Sequence, residues 1–120
     1  MRGLNFSRKW PKLSQPSFTT FRFPRKDKDW EFGERVRIVY KARTKKKEIL
    51  GEAIIVNKEK RYLTGITNEE AIEDGFPEGK GQMQRWFMFV YDTVQIEKPL
   101  HKLTLKWVKE ILKEENIEKV

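Results

Sequence analysis

The chain predicts a mostly β fold of the α+β class, with short antiparallel strands, short helices between them and one helix at the C-terminal end. Three observations carry this. β-Branched and aromatic residues gather in short stretches bounded by turn formers; charged and apolar residues alternate with period two in Arg35-Val36-Arg37-Ile38; and helical spacing is confined to two places, around 67–76 and over 104–118. At 120 residues the chain has the size of one ordinary domain, so residues 1–120 are expected to share one core. Hydrophobic residues make up 38% and aromatic residues 12%, enough large side chains to fill that core although 37% of the chain is charged.

Phe18-Thr19-Thr20-Phe21-Arg22-Phe23, bracketed by Pro16 and Pro24, reads as a short strand. Glu31-Phe32-Gly33-Glu34 reads as a turn into a second strand, Arg35 to Tyr40, with one face buried. The basic tip Arg43-Thr44-Lys45-Lys46-Lys47 joins it to a third, Glu48 to Val56, making a hairpin in which Gly51 marks a bulge or a close backbone approach. Thr67 and Glu70 stand in capping-box spacing and Gly75 is a left-handed stop, which predicts a helix of about two turns between them. Gly79-Lys80-Gly81 reads as a flexible turn. The run Arg85 to Tyr91 is the most hydrophobic of the chain and is expected as a central strand buried on both faces, with Trp86, Phe87 and Phe89 in the core. Beyond Pro99, Leu105, Val108, Ile111 and Leu112 recur at helical spacing and predict a C-terminal helix over 104–118; His101, just before it, reads as a surface or capping residue.

Composition removes several function classes. Without cysteine there is no disulfide, thiol or zinc-finger chemistry, and a single histidine disfavours histidine-based triads and metal sites. The four aspartates are scattered, so neither a metal nor a cofactor is expected. No apolar run approaches the roughly 18–20 residues of a membrane span, and the first residues show no signal-peptide pattern; a soluble, cytoplasmic protein is expected. Lys and Glu dominate the charged set, a bias found in proteins from hot environments.

The charge is polarised. Residues 1–62 hold 18 Lys and Arg against 7 Asp and Glu, a net +11, whereas 63–120 hold 8 against 11, a net −3. Such a half attracts polyanions, of which nucleic acid is the most abundant in a cell. In the first 28 residues Arg2, Arg8, Lys9, Lys12, Arg22, Arg25, Lys26 and Lys28 face one acid, Asp27, and alternate with Trp10, Phe18, Phe21 and Phe23. Cations pair with phosphates while unstacked bases of RNA lie on aromatic planes. The expected interface is therefore a cleft between the strand at 18–23, the basic N-terminal segment and the hairpin tip. Its candidate residues are Arg8, Lys9, Trp10, Lys12, Ser17, Thr20, Arg22, Arg25, Lys26, Arg43, Lys45, Lys46 and Lys47, with Arg22 and Lys12 on phosphate and Trp10 as a stacking plane. Arg22 must point away from Phe21 and Phe23, toward a phosphate or carboxylate.

The order of these pieces, Thr-Thr-Phe-Arg, then Phe-x-x-Gly-Glu-x-Val, then Gly-x-Ala-Ile, then Ile66-Thr67-Asn68-Glu69-Glu70-Ala71 to Asp74-Gly75-Phe76, resembles the ASCH domains over about residues 16–97. The last piece is close to the Thr-x-Glu-x-Ala-x-x-Asp-Gly-Phe pattern of small archaeal members. The resemblance implies a PUA-like antiparallel β-barrel, here with the C-terminal helix added, and RNA as a partner. The family's Gly-x-Lys-x-x-(Glu or Thr)-x-Arg run places Thr20 and Arg22 at the last two positions; Gln15 stands where Gly is usual and Ser17 where Lys is usual.

In the branch that hydrolyses acylated cytidines, the resemblance implies a lysine as base, a threonine as nucleophile and a carboxylate after the helix as partner. Thr20 and Asp74 fall at two of these positions, so a modified nucleoside such as N4-acetylcytidine is an alternative ligand and an amidohydrolase an alternative function. Lys12, five positions before Ser17, and Lys26, four after Arg22, are the candidates to reach the cleft in place of the missing base, although the sequence does not place their amines. A third alternative is a protein-interaction adapter, whose partner the sequence does not identify.

Overall fold

The structure is a computed structural model that describes residues 1–108. It is a mixed α/β arrangement in which five strands form one strongly bent sheet, a half-barrel, in the order β1-β3-β4-β5-β2. The strands are β1 (Gly3–Phe6), β2 (Ser17–Arg22), β3 (Arg35–Tyr40), β4 (Glu48–Arg61) and β5 (Leu100–Trp107); the helices are α1 (Asn68–Asp74), α2 (Lys80–Val90) and α3 (Thr93–Ile96). None of the described helices is long and apolar enough to cross a membrane.

The expected strands β2 and β3 form, and the turn before β3 closes through the Glu34 amide on Glu31 O at 3.1 Å. In the hairpin the pairing passes from Ile38↔Gly51 to Val39↔Ile49, leaving Leu50 as the bulged residue beside Gly51. β4 is longer than expected because its far half leaves β3 and pairs with β5, Ala53 to Arg61 lying against Trp107 to Leu100. That makes β4 the central strand.

Register sorts the side chains into two cores. Across β2 and β5, Phe18 faces Leu105 and Thr20 faces Leu103, and this face holds Leu4, Phe6, Val36, Ile38, Ile55 and Trp107 in one cluster. The other face presents Phe21 and Leu100 to the helices, where Leu63, Ile66, Ala71, Phe76, Met83 and Phe87 cover them. α1 begins as expected: Thr67 Oγ1 accepts from the Glu70 amide, Glu70 accepts from the Thr67 amide, and Gly75 stops the helix with a left-handed φ of 119°.

Three expectations are corrected. The run Arg85 to Tyr91 is not a central strand but the second half of α2, because Met83 and Phe87, one turn apart, bury one helical stripe while Met88 and Phe89 remain 62% and 89% exposed. Phe89 is therefore outside the core, and Gly79-Lys80-Gly81 is the beginning of that helix, its Lys80 amide bonded to Asn68 Oδ1 at 3.0 Å. Second, residues 104–107 of the expected C-terminal helix belong to β5, where Leu103, Leu105 and Trp107 alternate onto the inner face; the rest of 104–118 lies outside the described residues beyond Val108. Third, His101 sits within β5, half-buried against Asp29, with Nδ1 3.2 Å from Oδ2, rather than beside a helix.

β1 has no counterpart among the expected elements. Leu4 and Phe6 alternate inward, and the strand runs parallel to β3, Gly3 opposite Arg37 and Phe6 opposite Tyr40. The two edge strands are bridged by a side chain, Arg22 Nη2 donating to Asn5 O at 2.7 Å.

Candidate functional site

Where β1, β2, α1 and α2 meet, a cavity of about 220 Å³ opens. Its walls carry Phe6, Trp10, Phe76, Trp86, Phe87 and Tyr91, and its polar groups are Asn5, Ser7, Lys12, Thr20, Arg22 and Asp74. The placement follows from local structure. Thr20 and Arg22 share the inner face of β2 by strand alternation. Asp74 is the last residue of α1 and lies on the buried stripe of that helix with Ala71, three residues before it. Lys12 comes from a short 3-10 turn, Pro11–Ser14, that follows β1.

Lys12 and Asp74 form a buried ion pair, Nζ to Oδ1 2.9 Å, with the residues 8% and 6% exposed. Burial pushes the Asp74 carboxyl up to about 6, against the pull of Lys12 and Arg22. Burial also lowers the Lys12 ammonium below its ordinary value, with Asp74 opposing. The Lys12 ammonium lies 5.5 Å from the centre of the Phe6 ring and 5.7 Å from that of Trp10.

Arg22 is half-buried, and burial brings its pKa down to about 10, leaving it charged at neutral pH. Nε donates to Thr20 Oγ1 at 3.1 Å, Nη2 to Asn5 O, and the group stacks 4.7 Å from the centre of Phe6. Among the described residues no carboxylate is its hydrogen-bond partner, and Nη1 makes no hydrogen bond and remains a free donor. The Thr19 hydroxyl, on the opposite face of β2, is buried without a hydrogen bond that meets normal geometry, although it lies near enough to Asp74 to favour the carboxylate.

The aromatic wall is continuous. Trp10 lies 5.3 Å from Phe76 and 6.3 Å from Trp86, and Tyr91 lies 4.9 Å from Phe23, ring centre to ring centre. Beyond Trp10, Phe76 and Trp86 lies a second groove of about 380 Å³, lined also by Arg8, Lys9, Pro11, Gly75, Pro77 and Gln82.

The structure thus brings Trp10, Lys12, Thr20, Arg22 and Asp74 to one cavity. Lys12 is inside it, engaged with Asp74, rather than on an exposed phosphate path. Arg8 and Lys9 line the adjoining groove. Arg43, Lys45, Lys46 and Lys47 are exposed on the β3–β4 loop, whose base is tied to the cavity wall by the Lys41 amide on Phe6 O and the Ala42 amide on Asn5 Oδ1, each 2.9 Å. Ser17 is exposed at the start of β2 and does not line the cavity; being three residues from Thr20, it points to the other face. Arg25 is held by Asp27 and, with Lys26, lies off the cavity. The sequence reading missed the wall formed by Phe76, Trp86, Phe87 and Tyr91, since a strand over 85–91 gives no reason for these rings to meet Trp10.

No family model matches the chain, and neither a curated protein nor a solved structure does.

Proposed function

We propose that this protein binds RNA and takes one unstacked base into the 220 Å³ cavity. The observation that supports this most is the joining, in one enclosure, of aromatic faces with a polar floor: Arg22 offers a free guanidinium donor, and the Lys12–Asp74 pair a second set of groups able to meet a base edge. Arg8, Arg43, Lys45, Lys46 and Lys47 supply cations that form no ion pair among the described residues, which suits a phosphate backbone passing the mouth. The half-barrel and its capped helix accord with a PUA-like fold of ASCH type, and a cytoplasmic location is part of the same proposal. The test is a filter-binding titration with single-stranded and hairpin RNA. Retention that falls steeply with salt and is weakened at least tenfold by Arg22→Ala is expected; no retention at low salt overturns the reading.

One observation favours a second reading, amide hydrolysis on an acylated nucleoside. Lys12 enters the cavity from a different element than the family's lysine position at Ser17, and shares it with Thr20 and Asp74. In this reading Thr20 Oγ attacks the acyl carbon, Lys12 in its neutral form accepts the hydroxyl proton and passes it to the departing amine, and water then releases the acid; Arg22 Nε, already on Thr20 Oγ1, steadies the oxygen. Incubation with N4-acetylcytidine should yield cytidine and acetate in the wild type and none in Thr20→Val. Turnover unchanged in that variant overturns it.

A further inference from the structure

We infer that the groove beyond Trp10 seats the nucleotide next to the one in the cavity, so that the ligand is a strand of at least two nucleotides rather than a free nucleoside. The inference rests on the cavity reading above and specifies its substrate class.

The two spaces share a wall. Trp10, Phe76 and Trp86 line both, with the cavity of about 220 Å³ on one side and the groove of about 380 Å³ on the other. Trp10 and Trp86 are half-buried, so their rings are presented to both spaces. The charges divide along the same wall. On the cavity side the Lys12 ammonium is buried and spent on Asp74, and Arg22 is half-buried. On the groove side Arg8 and Lys9 are exposed; Arg8 has no acidic partner among the described residues, and its guanidinium lies 5.4 Å from the centre of the Trp10 ring.

A free nucleoside would use only the first side, because it carries no phosphate for Arg8 and no second base for the groove. A dinucleotide uses both. One base enters the cavity, the linking phosphate crosses the edge of Trp10 beside Arg8, and the second base lies in the groove against Trp86, with Gln82 and the backbone around Pro77 within reach of its edge. Trp10 is then a wedge between consecutive bases, which is how a strand is held with one base out of its stack.

The experiment is isothermal titration of the full chain with cytidine, cytidine 3′-monophosphate and the dinucleotide CpC, and of the variants Arg8→Glu and Arg37→Glu. Both variants change net charge equally, but Arg37 is exposed on β3 and lines neither space. CpC should bind at least tenfold tighter than the monophosphate, Arg8→Glu should remove that advantage while leaving cytidine within twofold, and Arg37→Glu should leave all three ligands within twofold. If cytidine binds but CpC binds no tighter than the monophosphate, or if Arg8→Glu weakens cytidine as much as CpC, the inference is wrong and the cavity reading stands. If none of the three binds, the cavity reading fails and the inference with it.

Discussion

Lys12 Nζ and Asp74 Oδ1 lie 2.9 Å apart, both almost wholly out of water, although 62 residues separate them along the chain. Each charge is tolerable there only because of the other. Lys12→Met leaves a buried carboxylate unpaired and should destabilise the protein by about 3–5 kcal/mol, whereas Lys12→Met with Asp74→Leu should recover most of that loss. Urea unfolding of the two variants and of Asp74→Leu alone closes the cycle. Additive single effects would show that the pair does not act as a unit.

The same pair sets a pH dependence. Asp74 titrates near 6 in the folded protein against 3.8 ordinarily, so between about pH 4 and 6 the folded state holds a proton that the unfolded chain has released. The contribution of this group to stability is then largest below pH 4 and declines as pH rises through 6. A carboxyl carbon titration by NMR should give Asp74 a midpoint near 6, and Asp74→Asn should flatten the stability profile over that window.

Gly75 carries two requirements at once. Its φ of 119° suits glycine, and a Cβ there would stand 2.9 Å from Trp10 Cε3. Gly75→Ala should cost about 1–3 kcal/mol and change the tryptophan emission, because the ring that separates cavity from groove has to move. Gly65→Ala, where a Cβ meets nothing within 4 Å, should stay within about 0.5 kcal/mol of the wild type.

Helix α2 distinguishes two neighbouring phenylalanines. Phe87 is 3% exposed and Phe89 is 89% exposed. Phe87→Ala should cost about 3–5 kcal/mol in thermal or urea unfolding. Phe89→Glu should cost less than about 0.5 kcal/mol, a result that a strand buried on both faces could not give.

Where a local pattern suffices, the sequence by itself determined the structure. The capping box of Thr67 and Glu70 with its Gly75 stop, the Pro-bounded strand around Thr20, and the alternating Arg35 to Ile38 strand with its bulged partner are each legible within a dozen residues, because hydrogen-bonding and steric rules act at that range. Tertiary structure decided the rest. Residues 85–91 are apolar enough for either a strand or a helix, and the choice fell to which neighbours Met83 and Phe87 found across α1. Leu103 and Leu105 fit a strand pattern and Leu105 and Val108 a helical one; pairing with both β4 and β2 settled the first for 104–107. β1 has only four residues, and its partner lies more than thirty positions on. The cavity is the furthest from local rules: nothing near Lys12 marks it as a buried cation, since that state is fixed by a carboxylate from another helix and by rings from three elements, all brought together only when the sheet bends and the helices close over it.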